Sequence, residues 1–343
     1  MSVSQPLRVG IAGAGWVTQY HLASWATLAG KASVVAIADP HVEAARGRAA
    51  AFGVAGVYDS VDAMLAAERL NAIDIASPRE THVSIALMAA KHGLAILCQK
   101  PLAPTLADAE RLVAQLGGTR LMVHENWRFR PHYRRIADWL RRGRVGHLRT
   151  VTMSLFTSGL VSDRDGRRPA LMRQPMLATL ERFLLMEVLI HLVDTLRFLL
   201  GPLTLLGAQL GKSCPDVRGE DRATLLLATA AGAAVTLTGD FMAHGHPPDQ
   251  ADHLEILGTD GAITLTRERL RLVGSTTEDV GLDLPANYAT SYTAAIAHFV
   301  DRLGDGKPFE TGPEDNLETL RIIEAAYGIG GPCVRSAGTS PTF

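Results

Sequence analysis

Leu7-Arg8-Val9-Gly10-Ile11-Ala12 is a short, mostly apolar run that leads straight into Gly13-Ala14-Gly15-Trp16-Val17-Thr18. A strand, a glycine turn and a helix in that order open a βαβ unit shaped for a dinucleotide. Gly13 permits the tight turn, and Gly15 lets a pyrophosphate approach the backbone. The helix N-terminus adds N–H groups and partial positive charge. Thr18 stands where the pattern usually has a third glycine. Asp39 lies 21 residues after Thr18, at the end of the second strand-like run Ala32–Ala38. A carboxylate there accepts hydrogen bonds from ribose hydroxyls and repels a 2′-phosphate, and Pro40 and His41 bring no arginine. The expected cofactor is therefore NAD, with NADP the less favoured, held by Gly13, Gly15, Trp16, Val17 and Asp39.

The pattern continues outward from this turn. Strand-like runs at Ala72–Ala76, Ala95–Cys98 and Arg120–His124 alternate with helical spacing at Val42–Phe52, Thr81–His92 and Leu106–Leu116. Strands separated by helices of this length imply a doubly wound parallel sheet, a Rossmann domain over residues 1–125. Ala95–Cys98 runs into Gln99-Lys100-Pro101, which places a lysine at the carboxyl end of a buried strand, where open α/β sheets hold ligands. Pro101 has no N–H and ends the strand. Lys100 is either a solvated strand end or a group beside the nicotinamide.

After Pro131 the periodicity changes. A helix at Tyr133–Arg142 is followed by alternating runs at Leu148–Phe156, Thr204–Leu210, Ala223–Ala230, Ala233–Gly239, His253–Leu257, Ala262–Thr266 and Arg269–Val273. These imply an α+β domain over residues 126–335 with an open, mostly antiparallel sheet. Further helices are expected at Phe183–Leu200, Tyr288–Leu303 and Pro313–Tyr327, with a loose tail from Gly330. Glu187, His191 and Asp194 fall on one face of the helix Phe183–Leu200. Ionisable groups on so apolar a helix are either a structural network or a functional set, and His191 can exchange a proton near neutral pH with Glu187 to orient it. His244-Gly245-His246 with Asp249, Asp252 and His253 reads as a surface loop, and no metal is expected.

The bulk numbers agree with an ordinary globular chain. In 343 residues 47% are hydrophobic and 20% charged, with a net charge of −1, so nothing favours nucleic acid or an anionic membrane as partner. Cys98, Cys214 and Cys333 form no paired motif, which fits a reducing cytoplasm. Residues 1–6 have neither the basic nor the apolar region of a secretory leader.

Taken together, the motifs resemble the glucose–fructose oxidoreductase / inositol dehydrogenase / rhizopine-catabolism (Gfo/Idh/MocA) family over about Leu7 to Tyr327. Gly13-Ala14-Gly15-Trp16 with His21 is similar to its cofactor turn. Ser77-Pro78-Arg79-Glu80-Thr81-His82 is similar to its Thr-Pro-Asn-x-x-His segment near the nicotinamide ribose. Gln99-Lys100-Pro101 resembles its Glu-Lys-Pro signature, and Asn126-x-Arg128-Phe129-x-Pro131 its Asn-x-Arg-Phe-x-Pro segment. Glu187-x-x-x-His191-x-x-Asp194 resembles its Asp-x-x-x-His-x-x-Asp helix. Leu257-Gly258-Thr259-Asp260-Gly261 and Thr311-Gly312-Pro313-Glu314-Asp315 resemble two C-terminal signatures.

The resemblance implies hydride transfer between NAD and a secondary alcohol or ketone of a sugar, sugar acid or cyclitol. It implies His191 as proton acceptor and donor, Lys100 polarising the substrate oxygen, and Glu187 in support. Ser77, Pro78, His82, Gln99 and Lys100 would line the nicotinamide side of the cofactor. Independently of the resemblance, Trp127 and Arg128 lie where the first domain hands over to the second, a place where pocket walls often form, and Arg128 and Arg173 are either surface arginines or groups that bind a carboxylate or phosphate of the substrate. The outer face of the second sheet would make a homodimer or homotetramer. Two other activities occur on the same framework: glycoside hydrolysis by transient oxidation, and non-catalytic sensing of NAD or sugar. Three departures stand out. Gln99 replaces the signature glutamate, Glu187 replaces an aspartate, and Phe183-Leu184-Leu185-Met186 stands where a glycine pair is usual.

Overall fold

The computed structural model describes residues 6–249 and 252–330. Cys333 and the expected loose tail past Gly330 lie outside the described residues. The chain divides into two compact units, Met1–Pro131 with Pro285–Leu320, and His132–Leu284 with Arg321–Phe343. The sequence division of 1–125 and 126–335 differs from this grouping in one substantial way: Pro285–Leu320 returns to the first unit. The reason is apolar. Ala295, Ile296, Phe299 and Val300 share a buried cluster with Leu22 and Trp25, and the Trp25 and Phe299 rings meet edge to face at 6.3 Å.

Among its described residues the first unit holds six parallel strands: β1 (Leu7–Ala12), β2 (Ala32–Ala38), β3 (Gly56–Tyr58), β4 (Ala72–Ile75), β5 (Ala95–Gln99) and β6 (Leu121–His124). Their order is β3-β2-β1-β4-β5-β6. The order reverses between β1 and β4, which opens a crevice at the carboxyl ends of the strands. Helices α1 (Thr18–Ala26), α2 (Val42–Phe52), α3 (Val61–Ala67), α4 (His82–Lys91) and α5 (Leu106–Gln115) make the connections. β3 and α3 were not expected from the sequence. β3 is three residues long and has no alternation to read. α3 is announced only by its cap, where the Ser60 hydroxyl accepts from Ala63 N–H.

The second unit starts in α6 (Pro131–Arg141) and is built on eight strands: β7 (Leu148–Phe156), β8 (Leu203–Gly211), β9 (Arg222–Thr229), β10 (Ala234–Asp240), β11 (Asp252–Gly258), β12 (Ala262–Leu265), β13 (Arg269–Val273) and β14 (Glu278–Gly281). Their order is β14-β13-β12-β11-β7-β10-β9-β8. Every pairing is antiparallel except β7 with β10. Burial alternates along these strands, as a sheet covered on one face requires. A short α7 (Pro169–Arg173) precedes a helical stretch that differs from the single helix expected at Phe183–Leu200. Leu184–Leu189 is a π-helix, and only Ile190–Leu200 is the α-helix α8. The last helices among the described residues are α9 (Leu284–Asp305) and α10 (Pro313–Gly330). Among the described residues no helix is long and apolar enough to cross a membrane.

Candidate active site

In the first unit, the turn after β1 is shaped by a steric demand. Gly13 has φ +107°, and a Cβ there would lie 2.6 Å from the Ala76 carbonyl oxygen, so β1 and β4 close together only around glycine. Gly15 faces open space, with no atom within 4 Å of where a Cβ would be. A pyrophosphate can therefore approach the backbone, and the turn fits NAD. The missing third glycine has a local explanation. Thr18 is fully buried, and its hydroxyl donates to the Gly13 carbonyl at 3.0 Å, closing the turn from within. Asp39 accepts from Ala14 N–H at 2.7 Å and from His41 N–H at 2.8 Å, so its carboxylate is braced by the glycine turn. Trp16 is exposed beside Tyr20, their rings 5.1 Å apart. Arg48 of α2, not singled out in the sequence, donates to the Gly15 carbonyl at 3.0 Å.

Beyond β4, Ser77 Oγ and Thr81 Oγ1 lie 2.7 Å apart, and the exposed Pro78 presents its carbonyl to Thr81. His82 is buried, with one ring nitrogen 2.9 Å from the Pro101 carbonyl and the other 2.9 Å from that of Ser77. It ties the turn after β4 to the turn after β5. Lys100 is half-buried at the end of β5.

Beside it runs a buried polar chain that the sequence did not disclose. Asp74 accepts from the Trp25 indole at 2.7 Å and from His21 Nδ1 at 2.8 Å. His21 Nε2 and His124 Nδ1 face the Gln99 amide nitrogen at 2.7 and 3.1 Å. Glu125, fully buried, accepts from Trp127 N–H at 3.2 Å. Burial pushes its carboxyl up to about 7, while Lys100 and the Trp127 N–H, with Arg128 and Arg130, pull it down. Cys98 is also fully buried, which pushes its thiol far above the usual range and makes it a core residue. Trp127 and Arg128 are buried in a short turn. The Arg128 guanidinium donates to the Glu310 carbonyl at 3.1 Å and to Asp315 at 2.7 Å. This pairing joins two of the sequence signatures within the unit.

In the second unit, Glu187 lies in the π-helix, and His191 and Asp194 lie on α8. The single α-helical face expected for the three therefore holds for His191 and Asp194, while Glu187 sits on the wider π turn. Glu187 and His191 are half-buried and Asp194 is 1% exposed.

The π turn has a visible anchor. The Glu220 carboxylate accepts from Phe183 N–H at 3.3 Å, from Leu185 N–H at 2.9 Å and from the Tyr327 hydroxyl at 2.7 Å. The Glu220 carbonyl takes Leu184 N–H at 3.1 Å. These bonds satisfy donors that a helix start leaves open. Gly219 allows the approach: a Cβ there would lie 2.8 Å from both Leu180 O and Phe183 N. Burial pushes the Glu220 carboxyl up and these donors pull it down, and burial also raises the Tyr327 hydroxyl. Arg182 grips Glu324 with two bonds of 2.7 and 2.8 Å and lies 4.5 Å over the Tyr327 ring. Arg173, at the end of α7, is exposed. In the histidine-rich loop, Asp249 pairs with Arg267, while Asp252 is buried and accepts from Tyr133 at 2.6 Å. Among the described residues no group of three or more His, Cys, Asp or Glu could hold a metal ion.

A six-stranded Rossmann sheet with this turn, an acid ending β2 and a lysine ending β5, in one chain with an open-sheet unit, defines a two-domain nicotinamide-dependent oxidoreductase. Residues 7–126 match the oxidoreductase family with the NAD-binding Rossmann fold, and residues 133–264 match the GFO/IDH/MocA C-terminal domain. The chain is 34% identical to D-apiose dehydrogenase of Paraburkholderia graminis, over 92% of its own length and 85% of that protein. It is 28% identical to inositol 2-dehydrogenase of Rhizobium meliloti, over 93% and 96% of the two chains. The crystal structure of an Agrobacterium radiobacter oxidoreductase with NAD+, L-tartaric acid and magnesium superposes with a TM-score of 0.87 at 28% identity, covering 96% of this chain and 97% of that one. Levoglucosan dehydrogenase shares the fold, with a TM-score of 0.83 at 20% identity over 95% and 97% of the chains. The chain belongs to the Gfo/Idh/MocA family of oxidoreductases. It is a dehydrogenase, and its cofactor is NAD.

Proposed function

We propose that the protein oxidises a secondary alcohol of a sugar, sugar acid or cyclitol, or reduces the matching ketone. The supporting observation is the half-buried Lys100 at the carboxyl end of β5, in the same parallel sheet as a glycine turn that fits NAD. The bound nicotinamide supplies the hydride acceptor or donor. Lys100 presents an ammonium to the substrate oxygen, and charge developing there is stabilised. His191 takes the hydroxyl proton during oxidation and returns it during reduction, with Glu187 one turn away to orient the ring. Gly13, Gly15, Trp16, Val17 and Asp39 hold the adenosine and pyrophosphate side. Ser77, Pro78, His82 and Gln99 shape the nicotinamide side. Trp127 forms a wall of the substrate pocket. Arg128, engaged with Asp315, braces that wall, and the exposed Arg173 is the arginine that meets an acidic substrate.

Relatives named for apiose and inositol, and a structural neighbour holding tartaric acid, support a polyhydroxy substrate. The unpaired Cys98 and Cys214 support a cytoplasmic location. Leu206, Leu226, Leu257 and Val273 are exposed apolar residues on strands of the second sheet, which supports a homodimer or homotetramer through that face.

The deciding experiment follows reduced nicotinamide absorbance with NAD or NADP against apiose, inositols, levoglucosan and tartrate. Reduction of NAD by one of these classes is expected. A preference for NADP overturns the reading of Asp39, and silence across the panel with NAD bound overturns the dehydrogenation reading.

A further inference from the structure

Gln99 departs from the acidic residue of its signature, and its surroundings explain why a charge does not suit that position. Its amide nitrogen has two N–H groups, and they meet two ring nitrogens, His21 Nε2 at 2.7 Å and His124 Nδ1 at 3.1 Å. Both ring nitrogens must accept. His21 therefore carries its proton on Nδ1, which donates to Asp74, and His124 carries its proton on Nε2. The amide oxygen accepts from Lys100 N–H at 3.2 Å. Every polar atom of Gln99 is used. A glutamate here would require at least one of these ring nitrogens to become a donor.

The neighbouring strand carries the missing charge. β5 and β6 are parallel with Gln99 opposite His124, so Lys100 and Glu125 are the next residues past the two strand ends. Glu125 is fully buried, and one oxygen is pinned by Trp127 N–H. A buried carboxylate beside a lysine is sustained by that lysine's charge.

We propose that Glu125 is the counter-charge of Lys100, so that the carboxylate facing the lysine comes from the end of β6 instead of from position 99. The groups around it fit that role. Lys100 approaches from β5, and Arg128 and Arg130 from its own turn. His21 of α1 and Tyr292 of α9 pack on the His124 ring at 4.4 and 5.0 Å. Asp74 is committed to Trp25 and His21. Glu125 is thus a positioning residue that acts through Lys100. Its purpose rests on the dehydrogenase reading, but its test does not.

The chain has five lysines: Lys31, Lys91, Lys100, Lys212 and Lys307. Reductive 13C-methylation keeps their charge, and a Lys100→Arg variant assigns the Lys100 signal. In Glu125→Gln the Lys100 titration should fall by about one pH unit or more relative to the unsubstituted protein, as loss of a near opposite charge requires. Glu125→Asp, which keeps the charge on a shorter arm, should restore most of it. An unchanged Lys100 titration in a folded Glu125→Gln protein overturns the proposal. Should Glu125→Gln not fold, the reciprocal measurement decides. In Lys100→Met the infrared band of the protonated Glu125 carboxyl should persist about one pH unit higher, and an unchanged band overturns the proposal. Neither measurement needs a substrate, so a failed substrate panel counts against the proposed function alone.

Discussion

The two units hold their candidate functional groups by different means. In the first, Gly13, Asp39, Ser77 and Lys100 sit on turns that directly follow parallel strands, and the sheet fixes their positions. In the second, Glu187 and His191 sit where a π-helix passes into an α-helix, and that irregular turn is held by Glu220 and Tyr327 from distant parts of the chain. A site at strand ends needs only the sheet beneath it. A site on an irregular helix needs dedicated partners, because its backbone donors would otherwise be unsatisfied.

The contrast can be broken at the chemistry itself. Lys100→Ala and His191→Ala should each lower kcat by about 10²–10⁴-fold while NAD still binds, as fluorescence titration would report. Near-normal turnover in both would remove the roles assigned to these residues.

Glu125 sharpens the comparison through pH. Its folded value of about 7 lies above the 4.5 of an ordinary glutamate. The folded state therefore holds the proton more tightly between those values, and stability is lost as pH rises through that window, by about 3 kcal/mol in total. Denaturant midpoints measured from pH 4 to 8 should show this slope, and Glu125→Gln should flatten it.

Glu220→Ala leaves the Phe183 and Leu185 N–H groups without their acceptor and should cost about 2 kcal/mol. It should lower kcat with NAD affinity unchanged. A variant equally destabilised but fully active per folded molecule would show that the clamp serves only the fold.

The smallest effect separates the two turn glycines. Gly13→Ala meets the Ala76 carbonyl at a positive φ and should lower stability by about 1–2 kcal/mol. Gly15→Ala meets nothing and should leave the melting temperature in place while weakening NAD binding. Equal melting temperatures for the two would contradict the steric account.

The same contrast explains what the sequence disclosed. β7 and β13 were legible to the residue, because apolar alternation is a local signal. The NAD turn and the place of Lys100 at a strand end were legible because both are written in consecutive residues. Glu125 was not, since its significance depends on β6 lying beside β5 in register. Glu220 was missed for a similar reason: it is 35 positions from the Leu185 N–H it serves. The π turn itself had only a faint sign, the bulky Phe183-Leu184-Leu185-Met186 in place of small residues.

Tyr327 and Glu324 lie in the last turns of α10. A protease that clipped the chain just after Leu320 would remove the hydroxyl on Glu220 and the carboxylate on Arg182 while sparing every residue of the cofactor turn. The clipped protein should still retain NAD on an affinity column yet turn over no substrate, because the end of α10 is a detachable safety pin for the π turn. Full activity after such a cut would show that the π turn stands without it.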